Sequence, residues 1–411
     1  MSAFPFNYSA LIRPLLFISI ALLVACGGGG GGGGEGSPAS SDSPELDNIH
    51  PYVTSSAYSP ILKDCTLAED TASVCRLADL PLLIEGTSQP SVDEIMARVL
   101  VSHDWMGLRF RQVLETMPPE ILQLFGAVTA IVIDDDTRPS YYYPATSAIF
   151  IDGAYLWLTN AEKVVISRDP DYRSEFDDEL NFVSMARYVE GFSYAWPYYS
   201  LNGSEERILA DIRLPLAELL LHELMHANDF FPAEYSVYLD QETTIYDAYR
   251  TLLPNRIAQQ LRAAAPLQSE LMFDLAAVMF QGAQASDSLK AVTAEEVGAA
   301  MEADAASDDY AYSSLAEDPA MLFSEAMMKY LFNIDRDVAY SSRPINDEDC
   351  DDYVIGWGMR GRIGDTDVKA RAQLVVAAVY PGQDFSLFFQ NLSAPKFMRV
   401  DESWCDNLAI F

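Results

Sequence analysis

Residues 215–229 have the pattern of a helix that is apolar on almost every side. A helix of this kind is buried, because no face of it is suited to water. His222, Glu223 and His226 nevertheless lie within it. Two imidazoles and a carboxylate are costly to bury unless they have a partner. The chain must therefore fold around this helix and provide a partner for the three side chains.

The spacing His-Glu-x-x-His suggests that this partner is a metal ion. Residues four apart lie on one helix face, so His222 and His226 can bind a single Zn²⁺. Glu223 lies one residue further round the helix, where it can reach a water beside the metal and act as general base. The alternative is a core helix whose histidines are satisfied by hydrogen bonds. Because the two histidines and the glutamate occur together, the sequence favours a metal site.

A catalytic zinc usually has three protein ligands and one open position. Pro232 stands where one class of such sites has its third histidine, so that class is excluded. The segment 317–323, Glu-Asp-Pro-Ala-Met-Leu-Phe, resembles the gluzincin metallopeptidases, in which Glu-Asp-Phe-Ala-Glu-x-Phe or a close variant follows a tyrosine. The segment departs from the family pattern at Pro319 and at Met321, where the family often has a second glutamate.

The resemblance covers 215–231 and 310–332, and it implies a zincin fold with Glu317 as the third zinc ligand. Glu325 is the alternative ligand. It shares a helix face with apolar residues, and a carboxylate in that setting needs a metal or a counter-charge such as Arg336. The residue pattern alone leaves both glutamates open.

The resemblance also implies a catalytic role for a tyrosine just before the ligand. Its hydroxyl would stabilise the oxyanion that develops beside the zinc. Tyr310 and Tyr312 both stand at a suitable distance along the chain, and both are candidates.

The N-terminus resembles that of a bacterial lipoprotein. In residues 1–25, Arg13 precedes an apolar run that is too short to span a bilayer as a helix, as in a signal peptide. The run ends in Leu-Val-Ala before Cys26, which resembles a lipobox whose cysteine is lipidated and becomes the new N-terminus. Residues 26–43 are rich in Gly and Ser and are typical of a flexible tether. The alternative is an ordinary secretory signal in which Cys26 has no such role.

Charge limits the possible partners. The chain has 26 Lys and Arg against 61 Asp and Glu, a formal net charge of −35. This acidity argues against nucleic acid and against adhesion to anionic lipids through protein charge. We therefore expect membrane contact through a lipid on Cys26, in the bacterial cell envelope. Gly27, rather than Asp, follows the cysteine, which favours the outer membrane, facing the periplasm or the exterior.

The four remaining cysteines are expected to be oxidised in an exported protein. Three connectivities are possible, and the sequence favours Cys65–Cys75 with Cys350–Cys405, because short loops close most easily. Buried free thiols are the alternative.

The rest of the pattern predicts an α+β fold, with a small N-terminal sheet packed on a mainly helical zincin-like domain. A helix capped by Ser91 is expected to run to about Thr116, with a short helix after Pro118-Pro119. Residues 127–133 suggest a buried strand, and 148–158 a hairpin that turns at Asp152-Gly153. Further helices are expected at 204–213, 215–229, 255–281 with a break at Pro266, 292–305, 319–332 and 366–379. No linker divides 44–411, so we expect one metallopeptidase-like domain.

These observations favour a lipid-anchored, exported zinc metallohydrolase, a peptidase that acts on peptide or protein substrates as a monomer. The alternative is a non-catalytic envelope or surface protein that keeps a zincin-like scaffold for binding, which the departure at Met321 favours. A structural zinc in a protein of unrelated role is a third hypothesis.

Overall fold

The computed structural model describes residues 48–85, 89–345 and 349–410, so the predicted signal peptide 1–25, Cys26 and the predicted tether 26–43 lie outside the described residues. Helices and two five-stranded sheets make up the described chain, and the α+β class is confirmed. The strands are β1 (His50–Pro51), β2 (Val99–Val101), β3 (Ala130–Asp134), β4 (Tyr141–Tyr143), β5 (Ala148–Asp152), β6 (Phe182–Glu190), β7 (Ser193–Tyr194), β8 (Asp335–Ser342), β9 (Ile355–Arg360) and β10 (Lys396–Phe397). The helices are α1 (Ser59–Thr66), α2 (Val92–Met96), α3 (Asp104–Leu114), α4 (Pro119–Leu124), α5 (Asn160–Lys163), α6 (Leu209–Phe230), α7 (Ala233–Ser236), α8 (Ile245–Leu252), α9 (Ile257–Ala264), α10 (Glu270–Gln281), α11 (Asp287–Lys290), α12 (Ala294–Ala303), α13 (Glu317–Phe332), α14 (Thr366–Val379) and α15 (Ser386–Asn391).

The first sheet is the small N-terminal one, with strand order β1-β2-β3-β5-β4. Its centre is parallel, from β2 through β3 to β5, and both edges are antiparallel. Every residue of β3 and β5 is buried, as expected for parallel strands that are covered on both faces. One of those faces packs towards α6, the helix that carries His222 and His226.

The prediction of one long helix from Ser91 to about Thr116 is wrong, because a strand interrupts it. Ser91 does cap α2 in a capping box with Glu94, but α2 ends at Met96. Val99–Val101 then form β2, which pairs in parallel with β3, and the chain returns to helix in α3. Three successive apolar residues such as Val99–Val101 fit a buried helix or a strand buried on both faces equally well. Pairing with β3 makes this segment a strand.

The hairpin expected at Asp152-Gly153 is also wrong. After β5 the chain enters a turn of 3₁₀ helix, Gly153–Tyr155, in which Ala154 N–H donates to Asp152 Oδ1 at 2.8 Å. β5 pairs instead with β3 and β4, which both precede it in the chain. The local Asp-Gly pair supports several turn types, so it did not determine the partner strand.

The second sheet, in the order β10-β9-β8-β6-β7, is antiparallel throughout and was not predicted. Charged side chains are buried within it. Asp337 on β8 is fully buried and accepts from Arg187 Nε on β6 at 2.8 Å and from Arg360 Nε on β9 at 2.6 Å. These ion pairs tie its three central strands together.

Helices α6 and α13 pack against each other and carry the candidate site. The expected helices 204–213 and 215–229 are in fact one, because α6 continues through Pro215. Proline lacks an N–H group, so the helix loses one backbone hydrogen bond there. The break expected at Pro266 is confirmed, since α9 ends at Ala264 and α10 begins at Glu270.

Two disulfides join Cys65 to Cys75 and Cys350 to Cys405, which is the pairing that the sequence favours. Among the described residues, no helix is both long enough and apolar enough to cross a membrane.

Candidate metal centre

Two helices bring three ligand-type side chains together. His222 and His226 lie one turn apart on α6, and Glu317 is the first residue of α13. Glu317 Oε2 lies 3.1 Å from His222 Nε2 and 3.3 Å from His226 Nε2. The two Nε2 atoms are themselves 3.2 Å apart. The three atoms thus form a nearly equilateral triangle, and the group can hold a metal ion.

This triangle has the dimensions of three sites of a metal tetrahedron. Zn²⁺ binds imidazole nitrogen and carboxylate oxygen at about 2.0–2.2 Å, so neighbouring ligand atoms lie about 3.3–3.6 Å apart, close to the 3.1, 3.2 and 3.3 Å found here. Glu317 Oε2 is buried and forms no hydrogen bond of normal geometry, although it lies between two imidazoles. A buried oxygen in that position needs a cation. Two nitrogens and one oxygen are the donor set of a zinc or similar transition-metal site with an open position.

The charges of these side chains are coupled. Burial raises the pKa of Glu317, but the neighbouring imidazoles outweigh it and hold that pKa well below its usual range. Burial lowers the pKa of His222, but the Glu317 carboxylate outweighs it and raises the pKa to about 9. Without a metal, the carboxylate is therefore the counter-ion of the His222 imidazole. A divalent cation would displace the imidazole proton and become the positive partner of the carboxylate.

Glu223 lies beside the triangle and not in it. Its side chain is buried, its Oε2 has no hydrogen-bond donor among the described residues, and it lies within electrostatic reach of His222, His226 and Glu317. Burial raises the pKa of Glu223. An unpartnered carboxylate with a raised pKa next to a metal site suits proton transfer.

The structure separates the two candidate tyrosines. The Tyr310 ring stacks on the His222 ring at 6.2 Å between centroids, and Phe280 packs on it edge to face. The Tyr312 ring instead packs against Phe273 in the hydrophobic cluster beneath the second sheet. Only Tyr310 is therefore brought to the metal triangle.

Arg173 is a residue at this site that the sequence analysis missed. Its Nη1 donates to the Tyr310 hydroxyl oxygen at 3.2 Å, and its Nε and Nη2 donate to the two oxygens of Asp171 at 3.0 and 2.6 Å. The burial of Tyr310 raises the pKa of its hydroxyl, as do Glu317 and Glu223. The short spacing Asp171-x-Arg173 is a weak signal in the sequence. Nothing in it indicates that Arg173 contacts a tyrosine 137 residues further along the chain.

Glu325, the alternative ligand, does not reach the histidines. It lies on α13 with its Oε1 accepting the Ile363 N–H at 3.0 Å, and burial raises its pKa to about 7. Arg336, which the sequence offered as its counter-charge, lies within electrostatic reach but forms its ion pair with Asp308, at 2.6 Å.

The other two histidines lie elsewhere. His50 Nε2 is 2.9 Å from Asp104 Oδ1, and His103 Nε2 is 3.6 Å from Asp135 Oδ1.

Comparisons of the chain with protein-family models, with curated proteins and with solved structures find no match. The resemblance to gluzincins therefore rests on the two sequence motifs.

Proposed function

We propose that this chain is a zinc-dependent hydrolase that cleaves peptide bonds. The observation that carries the proposal is the triangle of His222, His226 and Glu317, with the unpartnered Glu223 carboxylate beside it. A structural zinc site has four protein ligands, whereas three are brought together here among the described residues. This arrangement favours catalysis over a purely structural metal.

Each side chain has a separate task in this proposal. His222, His226 and Glu317 would hold the metal, which when bound polarises a carbonyl group and lowers the pKa of water. Glu223 takes a proton from the attacking water and returns it to the leaving amine. Its burial suits both steps, because a carboxylate with a raised pKa is a better proton carrier near neutral pH. Tyr310 donates a hydrogen bond from its hydroxyl to the carbonyl oxygen as charge develops there.

The choice of a peptide as substrate rests on the resemblance to gluzincins. The same holds for the location, which we propose to be the cell envelope, with the protein attached through a lipid on Cys26. The two disulfides support an oxidising compartment.

The test begins with bound metal per chain, measured for the wild type and for His222→Ala. We expect one zinc per wild-type chain and a large loss in the variant, because two ligands hold zinc poorly. Glu223→Gln should keep the metal, since Glu223 is not in the triangle. It should lower the turnover of a broad peptide library about a hundredfold or more, which is the size of a general-base contribution.

Two results would contradict the proposal. A wild type that binds no zinc when zinc is supplied has no such metal centre. A wild type that binds zinc but cleaves no peptide, in every condition where the fold is intact, would favour the non-catalytic binding protein.

A further inference from the structure

Helix α6 opens to solvent at a single place in its second half. From Leu216 to Phe230 every side chain is buried except those of Glu218 and His222. These two residues are four apart and therefore share one helix face. Side chains on a helix lean towards its N-terminus, so Glu218 extends from the candidate ligand along the opening. Glu218 therefore lies on the same partly exposed strip of α6 as His222, one turn from the candidate metal centre.

The Glu218 carboxylate is held in place but is not neutralised. The Tyr188 hydroxyl on β6 donates to its Oε1 at 3.1 Å. Tyr188 is itself fixed, because it is buried and packs against the Trp196 ring at 5.1 Å. None of the ion pairs among the described residues includes Glu218.

Arg173, which contacts the Tyr310 hydroxyl, differs in this respect. The charge of Arg173 is matched by Asp171, which accepts from two of its nitrogens. Glu218 has no such partner among the ion pairs of the described residues, and it lies one helical turn from His222 on the same face of α6. Glu218 thus provides an unmatched negative charge a short distance from the metal triangle.

We propose that Glu218 is a specificity-determining residue that binds a cationic group of the substrate. This inference rests on the proposed function, in which the substrate is a peptide. The group is either the free ammonium at the amino end of the peptide or the side chain of a lysine or arginine. With one oxygen held by Tyr188, the other is presented to the substrate. The net charge of −35 favours the approach of cationic substrates in the same direction.

Binding is tested without turnover, in zinc-loaded protein that carries Glu223→Gln. The probe is a short neutral peptide in four forms: with a free amino terminus, with an acetylated terminus, acetylated with lysine scanned through its positions, and acetylated with glutamine in the same scan. We expect a cationic form to bind about tenfold more tightly than its neutral counterpart, as a charge-assisted contact predicts. The first and third forms distinguish a terminal ammonium from a side chain.

A second substitution in the same protein assigns the preference to Glu218. Glu218→Gln keeps the shape of the side chain and should reduce the tenfold ratio of Kd values to below about twofold. Tyr188→Phe, which removes only the hydroxyl that fixes Oε1, should reduce the ratio to an intermediate value. Glu234→Gln is the matched control, because Glu234 is exposed just after α6 and its loss changes the net charge equally.

Three results would overturn the inference. They are equal Kd values for all four peptides, no binding of any of them, and a preference that falls as much in Glu234→Gln as in Glu218→Gln. Cleavage assays with protein that keeps Glu223 distinguish failure of the proposed hydrolase function from failure of the proposed role of Glu218. Hydrolysis of charged and neutral peptides at one rate would keep the proposed function and reject the role of Glu218. A Glu218-dependent preference in binding without any hydrolysis would do the opposite.

Discussion

At the scale of single residues, Tyr310 links the candidate metal centre to a charged pair. Its ring lies against the His222 imidazole, and its hydroxyl oxygen accepts from Arg173. An oxygen that accepts from a guanidinium keeps its own proton free to donate. Arg173 also polarises that O–H group, which makes it a better donor. Asp171 fixes the guanidinium, so the three side chains form one chain of contacts that ends at the site.

This chain of contacts predicts a graded loss of activity. Tyr310→Phe should lower kcat about a hundredfold or more with little change in KM, because its hydroxyl acts on charge that develops in the transition state. Arg173→Gln should lower kcat less, because Tyr310 keeps its hydroxyl. In the Tyr310→Phe background, Arg173→Gln should add little, because the two residues act through one contact. Steady-state kinetics of the two single variants and the double variant measure this coupling.

Tyr312→Phe is the matched control for that cycle. Its ring lies among apolar neighbours and not at the site, so kcat should stay near the wild-type value. A loss in Tyr312→Phe as large as that in Tyr310→Phe would reject the assignment. Full additivity of the Arg173 and Tyr310 substitutions would show that Arg173 does not act through Tyr310.

The sequence predicted part of this site for a simple reason. The positions of His222, Glu223 and His226 are linked by the period of one helix, which is a local property. Glu317 and Glu325 lie on another helix, and no local rule says which end of it approaches α6. The structure shows that the first turn of α13 does, which brings Glu317 to the histidines. Glu218 and Arg173 depend on exposure and on distant contacts, which a single sequence does not reveal.

At the scale of elements, α6 is held near its C-terminal end by a buried ion pair. Asp229 is completely buried and lies three residues after His226. It accepts from Arg256 Nε at 2.8 Å and from Ala258 N–H, at the start of α9, at 2.7 Å. The guanidinium also stacks over the Phe230 ring at 3.7 Å. These contacts fix the end of the helix that carries both histidines.

Loss of Asp229 should therefore destabilise the fold. We expect Asp229→Ala to lower the free energy of unfolding by about 3–5 kcal/mol, because it leaves Arg256 buried without its counter-ion. Denaturant unfolding of the metal-free protein measures this. Asp274→Ala, at an exposed position on α10, is the control and should change stability by less than about 0.5 kcal/mol. A loss in Asp229→Ala no larger than in this control would mean that the pair does not anchor α6.

The elements differ in how well the sequence predicts them. Helix α14 was predicted from periodicity with the bounds that the structure has, Thr366–Val379. The second sheet was missed because its strands do not look apolar. β8 contains Asp335, Arg336 and Asp337, yet most of the strand is buried. Ion pairs across strands satisfy such side chains, and they hide the alternation by which a strand is recognised.

At the scale of the whole molecule, the distribution of charge makes membrane attachment testable. A protein with a net charge of −35 is repelled by anionic headgroups, so its net charge does not attract it to an anionic bilayer. We propose instead that a lipid on Cys26 holds the protein to the membrane through the tether 26–43. Lipid insertion is driven by buried hydrocarbon and not by charge. The attachment should therefore survive washing with high salt.

Two substitutions next to the predicted signal-peptide cleavage site test whether a lipid on Cys26 anchors the protein and in which membrane. In a Gram-negative host, the wild type should sediment with outer membranes after a high-salt wash, whereas Cys26→Ser should leave the membrane fraction, because it cannot be lipidated. Gly27→Asp keeps the cysteine and should stay membrane-bound, but in the inner membrane, since Asp after the lipidated cysteine resembles a retention signal. Fractionation followed by immunoblotting measures all three proteins. If Cys26→Ser sedimented like the wild type, Cys26 would not be the anchor. If the wild type were released by salt, the attachment would be electrostatic, contrary to what its charge predicts.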